Sequence, residues 1–228
     1  MTNSRRRIFT IRFSLRRLPA RLQTSQGDAN MSTEFARGAR LRNAFNKETF
    51  VFSGLLDEGD VARFGVILEK GGSGGGNALM HVHPGADEHF AVRSGRIKFV
   101  VDGREQLVDT GGSVTVPRGR PHYFANAGDG NAELEVSFTP AQQHLRFFAN
   151  FVTLTVKQPK WFSSAGDPNF LLIALVLHAY RNHMYLAGVP IWLQKLLFAV
   201  LAPMARLAGY RLAIEPLREA PARSGLAV

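Results

Sequence analysis

The chain has 228 residues, 45% hydrophobic and 20% charged, with no cysteine and a formal net charge of +10. That composition builds a globular core and excludes collagen-like and disordered classes. Without cysteine there are no disulfides, thiolate metal sites, iron–sulfur clusters or cysteine nucleophiles.

Residues 1–30 carry seven arginines against one acid, a net of +6. The readings for this segment are a true start at Met31 with the preceding residues not part of the protein, a disordered tail, or a targeting segment of transit-peptide composition. A secretory or twin-arginine signal does not fit, because Arg12, Arg16 and Arg17 interrupt any apolar run of signal length. A cytoplasmic location is expected. Residues 31–140 are close to neutral, with a net of −2, and residues 141–228 return to +6. The basicity belongs to the two ends and not to the body, which argues against nucleic acid as a partner.

From Glu48 to Phe138 the chain reads as short apolar or alternating runs. They are Thr49–Leu56, Val61–Leu68, Ala78–His83, His89–Val92, Ile97–Val101, Ser113–Val116, His122–Ala125 and Ala132–Phe138. Turn residues separate them, among them Ser94–Gly95, Asp102–Gly103 and Pro117–Pro121. Even spacing with glycine-rich turns predicts an all-β sandwich or barrel. Leu134, Val136 and Phe138 alternate with Glu133, Glu135 and Ser137, so that strand has one buried face. The glycine run Gly71–Gly76 reads as a flexible turn, since no lysine-headed helix follows to make a phosphate cradle.

His81 and His83 stand two apart on a predicted strand, so both side chains leave the same face. Pro84, Gly85 and Ala86 make a turn, and Glu88 opens the next strand, where an antiparallel neighbour brings its carboxylate beside the imidazoles. His122, on a later strand, can supply a third imidazole. Three neutral imidazoles and a carboxylate suit one divalent first-row ion: Fe, Mn, Ni, Cu or Zn. An octahedral ion with four protein ligands keeps two positions for water, oxygen or substrate. His89 alternates away from Glu88 and is read as outward. His144, His178 and His183 have no partners at ligand spacing and are read as packing or surface residues.

These residues resemble the cupin family. Its first motif runs Gly, five residues, His-x-His, three or four residues, Glu, six residues, Gly, matched by Gly75, His81, His83, Glu88 and Gly95. Its second runs Gly, five residues, Pro-x-Gly, two residues, His, three residues, Asn, matched by Gly111, Pro117, Gly119, His122 and Asn126. The resemblance covers about residues 45–138 in a single copy. It implies a mainly β fold, a cupin-like jelly-roll β-barrel with the metal inside, and the ligand role for His81, His83, Glu88 and His122. It also implies a homodimer. The domain organisation expected is a tail over 1–30, the cupin domain over 31–138 and a helical C-terminal extension over 139–228.

Inside the expected barrel, Phe90 follows Glu88 in phase and Phe124 follows His122, so both are expected to line a substrate pocket. Phe64, Val66, Leu68, Leu134, Val136 and Phe138 point inward as well, while Arg63, Glu133 and Glu135 point outward. The cavity is therefore expected to be apolar, without placed acids or bases. That favours a metal-dependent, dioxygenase-like activity on a small apolar or aromatic substrate. It favours equally a non-catalytic cupin that binds or senses a small ligand.

After Phe138 the period changes. Thr139-Pro140-Ala141-Gln142 reads as a helix start with Thr139 as N-cap. Leu145, Phe148, Phe151 and Val152 continue at helical spacing. Phe170–Tyr180 is apolar on nearly all sides, and Val189-Pro190 opens a helix over Ile191–Arg206. The apolar runs are too short for a membrane span. The helices are expected to cover the barrel or a dimer face, or to contact a membrane surface peripherally with Lys195, Arg206 and Arg211 near the headgroups.

Overall fold

A computed structural model describes residues 35–52, 59–74 and 79–217. The arginine-rich segment over 1–30, Gly75 of the first motif and the end of the Thr49–Leu56 run lie outside the described residues.

The body is mainly β, in two antiparallel sheets that share one core. The first sheet runs β1 (Arg40–Asn43), β2 (Glu48–Phe52), β3 (Ala62–Leu68), β11 (Ala132–Thr139), β6 (Asp87–Ser94), β9 (Ser113–Val116). The second runs β12 (Tyr185–Leu186), β5 (His81–Val82), β10 (His122–Asn126), β7 (Arg96–Val101), β8 (Arg104–Asp109), and β4 (Ser73–Gly74) also pairs with β10. Alternation decides which face is inside. Phe64, Val66 and Leu68 of β3 and Leu134, Val136 and Phe138 of β11 are buried, whereas Arg63 and Glu133 are exposed. Phe99 and Phe124 come from the second sheet into the same core as Phe90 of the first. Residues 102 and 103 join β7 to β8 with positive φ at both, 50° and 74°. That is the backbone of a two-residue hairpin turn, and it explains an Asp-Gly pair there.

Two expectations need correction, and two strands go unannounced in the sequence. Ser73 and Gly74 are not free turn but a short strand on β10, Phe124 opposite Gly74. A Cβ at Gly74 would stand 1.9 Å from the Phe124 ring, so this glycine makes room for an aromatic side chain. The helix after β11 begins later than its cap pattern suggests. Thr139 stays in the sheet opposite Asp87, and Gln142 takes a left-handed φ of 46°. The helix, α1, spans His144–Lys157 with Gln143 before it and no side-chain cap. Finally, β1 and β8 are strands with little apolar alternation to announce them.

α1 lays Leu145, Ala149 and Val152 against the β core near β1 and β3. A 3-10 turn (Pro159–Trp161) leads on to α2 (Phe170–Ala179) and α3 (Ile191–Leu207), which pack on each other through Leu175, Ala202 and Ala205. The segment over 213–217 returns across α1. Asn150 Oδ1 accepts from the backbone of Ala213 and Ile214 at 2.8 and 3.0 Å, and Ile214 is buried in the β core. The helical extension is therefore fastened to the sheets at both ends of its path. Among the described residues no helix is long and apolar enough to cross a membrane.

Candidate metal centre

His81 lies on β5 and His122 directly opposite it on β10, so an antiparallel register sets two imidazoles side by side with ring centroids 4.4 Å apart. His83 follows β5 just before the turn. Glu88 comes from β6 of the other sheet, opposite Phe138. The four side chains are buried, and one ligand atom from each lies within 4.8 Å of the others. At metal–ligand bonds of about 2.0–2.2 Å, two ligands on opposite sides of an ion stand about 4.2 Å apart, so a small contraction suffices. The expected set His81, His83, Glu88 and His122 is thus brought together.

The second motif's turn is pinned to this cluster. Gly119 N donates to His83 O at 2.9 Å, and Arg118 binds Asp87 through its backbone N–H and its guanidinium. Gly119 has φ +77°, which favours glycine there. Asn126 works at a distance from the ligands. Its Nδ2 is shared among Leu68 O, Glu69 O and Gly130 O, and its Oδ1 accepts from Gly128 N. It clamps the end of β10 to the end of β3.

The hydrogen bonds test whether the residues fit a cation. Each imidazole places Nδ1 on a backbone carbonyl: His81 on Leu79 at 2.8 Å, His122 on Arg120 at 2.9 Å, and His83 on His183. A carbonyl only accepts, so Nδ1 carries the hydrogen in each; Nε2 of His81 and His83 keeps its lone pair, while His122 Nε2 shares a proton with Glu88 Oε2 at 2.7 Å. His83 Nε2 is buried with no hydrogen-bond partner, 3.4 Å from Glu88 Oε2. Once the proton between His122 and Glu88 is displaced, three imidazole nitrogens beside one carboxylate fit a divalent transition metal. Burial, with the neighbouring His122, pushes His81 down to about 3. Burial, with the other histidines around it, takes His83 well below its usual value. Both are neutral and ready to ligate. Burial raises Glu88, partly offset by its bond to His122. For His122 burial acts downward, but the 2.7 Å bond to Glu88 and its charge prevail and raise it.

Phe90 and Phe124, expected to line a substrate pocket, are core residues. Their rings pack on each other and on Phe99, and Phe124 fills the space over Gly74. A cavity of about 190 Å³ lies elsewhere, between the β1–β2 end of the first sheet and the helices. Its lining includes Asn46 and Glu48, an acid the sequence reading did not single out. Burial lifts Glu48 to about 8 against a hydrogen bond from Asn46 that lowers it. The signal was present: Glu48 shares the inward phase of Phe50 and Phe52.

Two histidines assigned to packing stand next to the centre. The His144 ring stacks on Phe138 at 4.1 Å and lies 5.4 Å from His83, and burial and His183 push it to about 3. His183 contributes its backbone carbonyl to His83, while its Nε2 accepts from Gln143 N. His89 is outward as expected, 2.9 Å from Thr115.

Residues 66–138 match the family model described as Cupin domain. No curated protein matches the chain. Among solved structures, an RmlC-like cupin from Shewanella frigidimarina is 18% identical with a TM-score of 0.38, covering 45% of this chain and 85% of that one. A sugar phosphate isomerase from a cupin superfamily, from Silicibacter pomeroyi, is 24% identical with a TM-score of 0.36, covering 46% and 64%. A Streptomyces PAC13 structure with uridine is 16% identical with a TM-score of 0.37, covering 46% and 79%. At these scores none of the three bears on activity here.

Proposed function

The chain carries a cupin domain over residues 66–138, and on that premise we propose a mononuclear metal-dependent enzyme with oxygenase-like chemistry on a small apolar or aromatic molecule. The observation that carries this is the buried His81, His83, Glu88 and His122 set with its three Nδ1 atoms held on backbone carbonyls. A divalent transition metal bound there would supply a Lewis-acidic centre for oxygen or substrate. The chain's own residues do the rest. The carbonyls of Leu79, Arg120 and His183 hold the imidazole protons away from the metal side. Glu88 brings the negative charge that a divalent ion needs. Phe138 and Phe148, with ring centroids 4.9 and 6.4 Å from His83, keep water out on that flank.

A second reading, a non-catalytic cupin that binds or senses a small ligand, draws on the closure of the site: the four ligand residues are 1–3% exposed. One experiment separates the two. Protein purified without added metal is assayed for metal by elemental analysis, then for oxygen uptake with a panel of small aromatic compounds. Metal-dependent oxygen consumption with product supports the enzyme. Saturable binding without product supports the sensor.

For partners, we propose contact with an anionic membrane surface through α3. Its outward arc of Trp192, Leu193, Leu196, Leu197, Val200, Met204 and Leu207 is exposed and carries no charge. Lys195 and Arg206 stand beside that arc, in a C-terminal part of net charge +6. Two such faces would repel each other, whereas anionic headgroups match them.

A further inference from the structure

The cavity beside the metal centre has features of a binding site in its own right. Phe50, Phe148, Phe151 and Ile173 wall it, Asn46 and Glu48 form a buried polar patch within it, and Asn43 and the exposed Asp167 are its other polar lining residues. Those two polar residues are 5% and 3% exposed. Among the described residues no lysine or arginine lines the cavity to neutralise Glu48. Asn46 donates a side-chain hydrogen bond to Glu48, while its own Oδ1 is buried without any partner. A carbonyl oxygen withdrawn from water and left unpaired is rare in a folded protein, and Asn46 is one of the residues that line this cavity.

We propose that this cavity binds a neutral molecule the size of one aromatic ring that bears a single hydroxyl or carboxamide group, held by Glu48 and Asn46. Size, wall and polar patch each restrict the class. A dry cavity of about 150 Å³ takes up benzene, so about 190 Å³ holds one ring with a short substituent. Three phenylalanines favour a flat apolar body through edge and face contacts. At neutral pH Glu48, lifted to about 8 by burial, is mostly protonated, so its O–H donates while Asn46 Oδ1 accepts. A hydroxyl or a primary amide satisfies both groups at once. A hydrocarbon satisfies neither, a carboxylate offers no donor, and an ammonium offers no acceptor. Phe148 lines this space and packs near His83, but none of the four ligand residues lines it, so the site is distinct from the metal pocket and stands whether or not the metal reading holds.

The test is calorimetric titration of the full-length protein at pH 7 with benzamide, benzyl alcohol, toluene and benzylamine. Benzamide and benzyl alcohol should saturate one site, at least about tenfold tighter than toluene, the factor one buried hydrogen bond supplies. Glu48→Leu should weaken benzamide by about tenfold or more while leaving toluene no weaker. Ile173→Trp should fill the space and remove binding of every probe. Circular dichroism checks that both variants are folded, and elemental analysis should find their metal content equal to that of the wild type. Toluene binding as tightly as benzamide, benzylamine outcompeting benzamide, or no binding of any probe overturns the assignment. So does benzamide binding that neither substitution changes, and metal loss in Glu48→Leu overturns the separation of the two sites.

Discussion

Two buried carboxyl groups, Glu88 and Glu48, are each 3% exposed, and burial raises both above the ordinary carboxyl range. Their surroundings differ. Glu88 faces His122 Nε2 at 2.7 Å and His83 Nε2 at 3.4 Å, in a ring of nitrogen lone pairs. Glu48 is hydrogen-bonded to Asn46 and lines a cavity with several phenylalanines, Asn43 and Asp167 but no lysine or arginine among the described residues. The first environment concentrates electron pairs that only a cation or protons can satisfy. The second lacks any charge partner and so holds a neutral acid. One residue type therefore serves two kinds of chemistry on either flank of Phe148, and neighbours decide which.

The largest effect should follow from removing imidazoles. His81→Ala with His83→Ala should cut bound metal from about one ion per chain to less than about a tenth, because two of four ligands are lost. The β core does not depend on these side chains, so far-UV circular dichroism should be unchanged. Benzamide binding near Glu48 should also persist. Full metal occupancy in the double variant would break the contrast between the two carboxyl environments.

The second effect concerns pH. In the unfolded chain Glu48 titrates near 4.5, and in the folded chain near 8. Between those values the folded state keeps a proton that the unfolded state has released. Stability contributed at this position therefore falls as pH rises from about 4.5 to about 8 and is level on either side. Glu48→Gln keeps the shape without the titration. It should match the wild type at pH 4 and exceed it at pH 9 by at most about 5 kcal/mol, from roughly 1.4 kcal/mol per pH unit. Urea midpoints across that range give the measurement. Parallel curves for the two proteins would show that Glu48 ionises freely, and the contrast with Glu88 would collapse.

How much of this was legible beforehand follows from what each residue shows in sequence. The two-residue period exposes β3 and β11, because Phe64, Val66 and Leu68 and then Leu134, Val136 and Phe138 each share a face. The ligands were legible because cross-strand register and motif spacing act together: His122 falls opposite His81 only if β10 and β5 pair antiparallel. β8 was not legible, since Arg104, Glu105 and Gln106 are exposed on an edge and leave no apolar face to read. The start of α1 was misplaced because Thr139 is held in the sheet by its pairing with Asp87, a tertiary contact that overrides a local capping pattern. His183 acts on His83 through a backbone carbonyl, which any residue possesses, so no side-chain pattern could announce it. Phe90 and Phe124 were correctly turned inward. Inward, however, means core wherever neighbouring rings already fill the space, as Phe99 does here.

A third prediction separates the frame of the metal pocket from its ligands. Asn126 joins β10 to β3 by bonds to three carbonyls and lies away from the ligand atoms. Asn126→Ala should cost about 2–3 kcal/mol, the penalty for leaving buried carbonyls unpaired. Bound metal should remain near the wild-type level, measured on the folded fraction. Metal loss in a stably folded variant would show that the clamp sets ligand geometry as well as stability.

The smallest effect on stability, and the sharpest on location, should come from α3. Its buried side is Gln194, Phe198, Ala202 and Ala205, and its outward side is the uncharged arc beginning at Trp192. Gln194 is tied to the backbone of Leu186 and Val189, so the helix is fixed to β12 by its inner face alone. Substituting Leu196→Glu and Val200→Glu together should therefore shift stability by less than about 0.5 kcal/mol per site, as exposed positions do. On the membrane proposal, the outward arc is the face offered to lipid. Wild-type protein should sediment with vesicles containing phosphatidylserine, more weakly as salt rises, and little with phosphatidylcholine alone. The double variant should stay in the supernatant. If the wild type ignores both vesicles and instead sediments as a dimer that the same substitutions dissociate, the face is a contact between two copies. Burial of the two apolar arcs then outweighs the repulsion between the two +6 extensions, and the membrane reading is withdrawn.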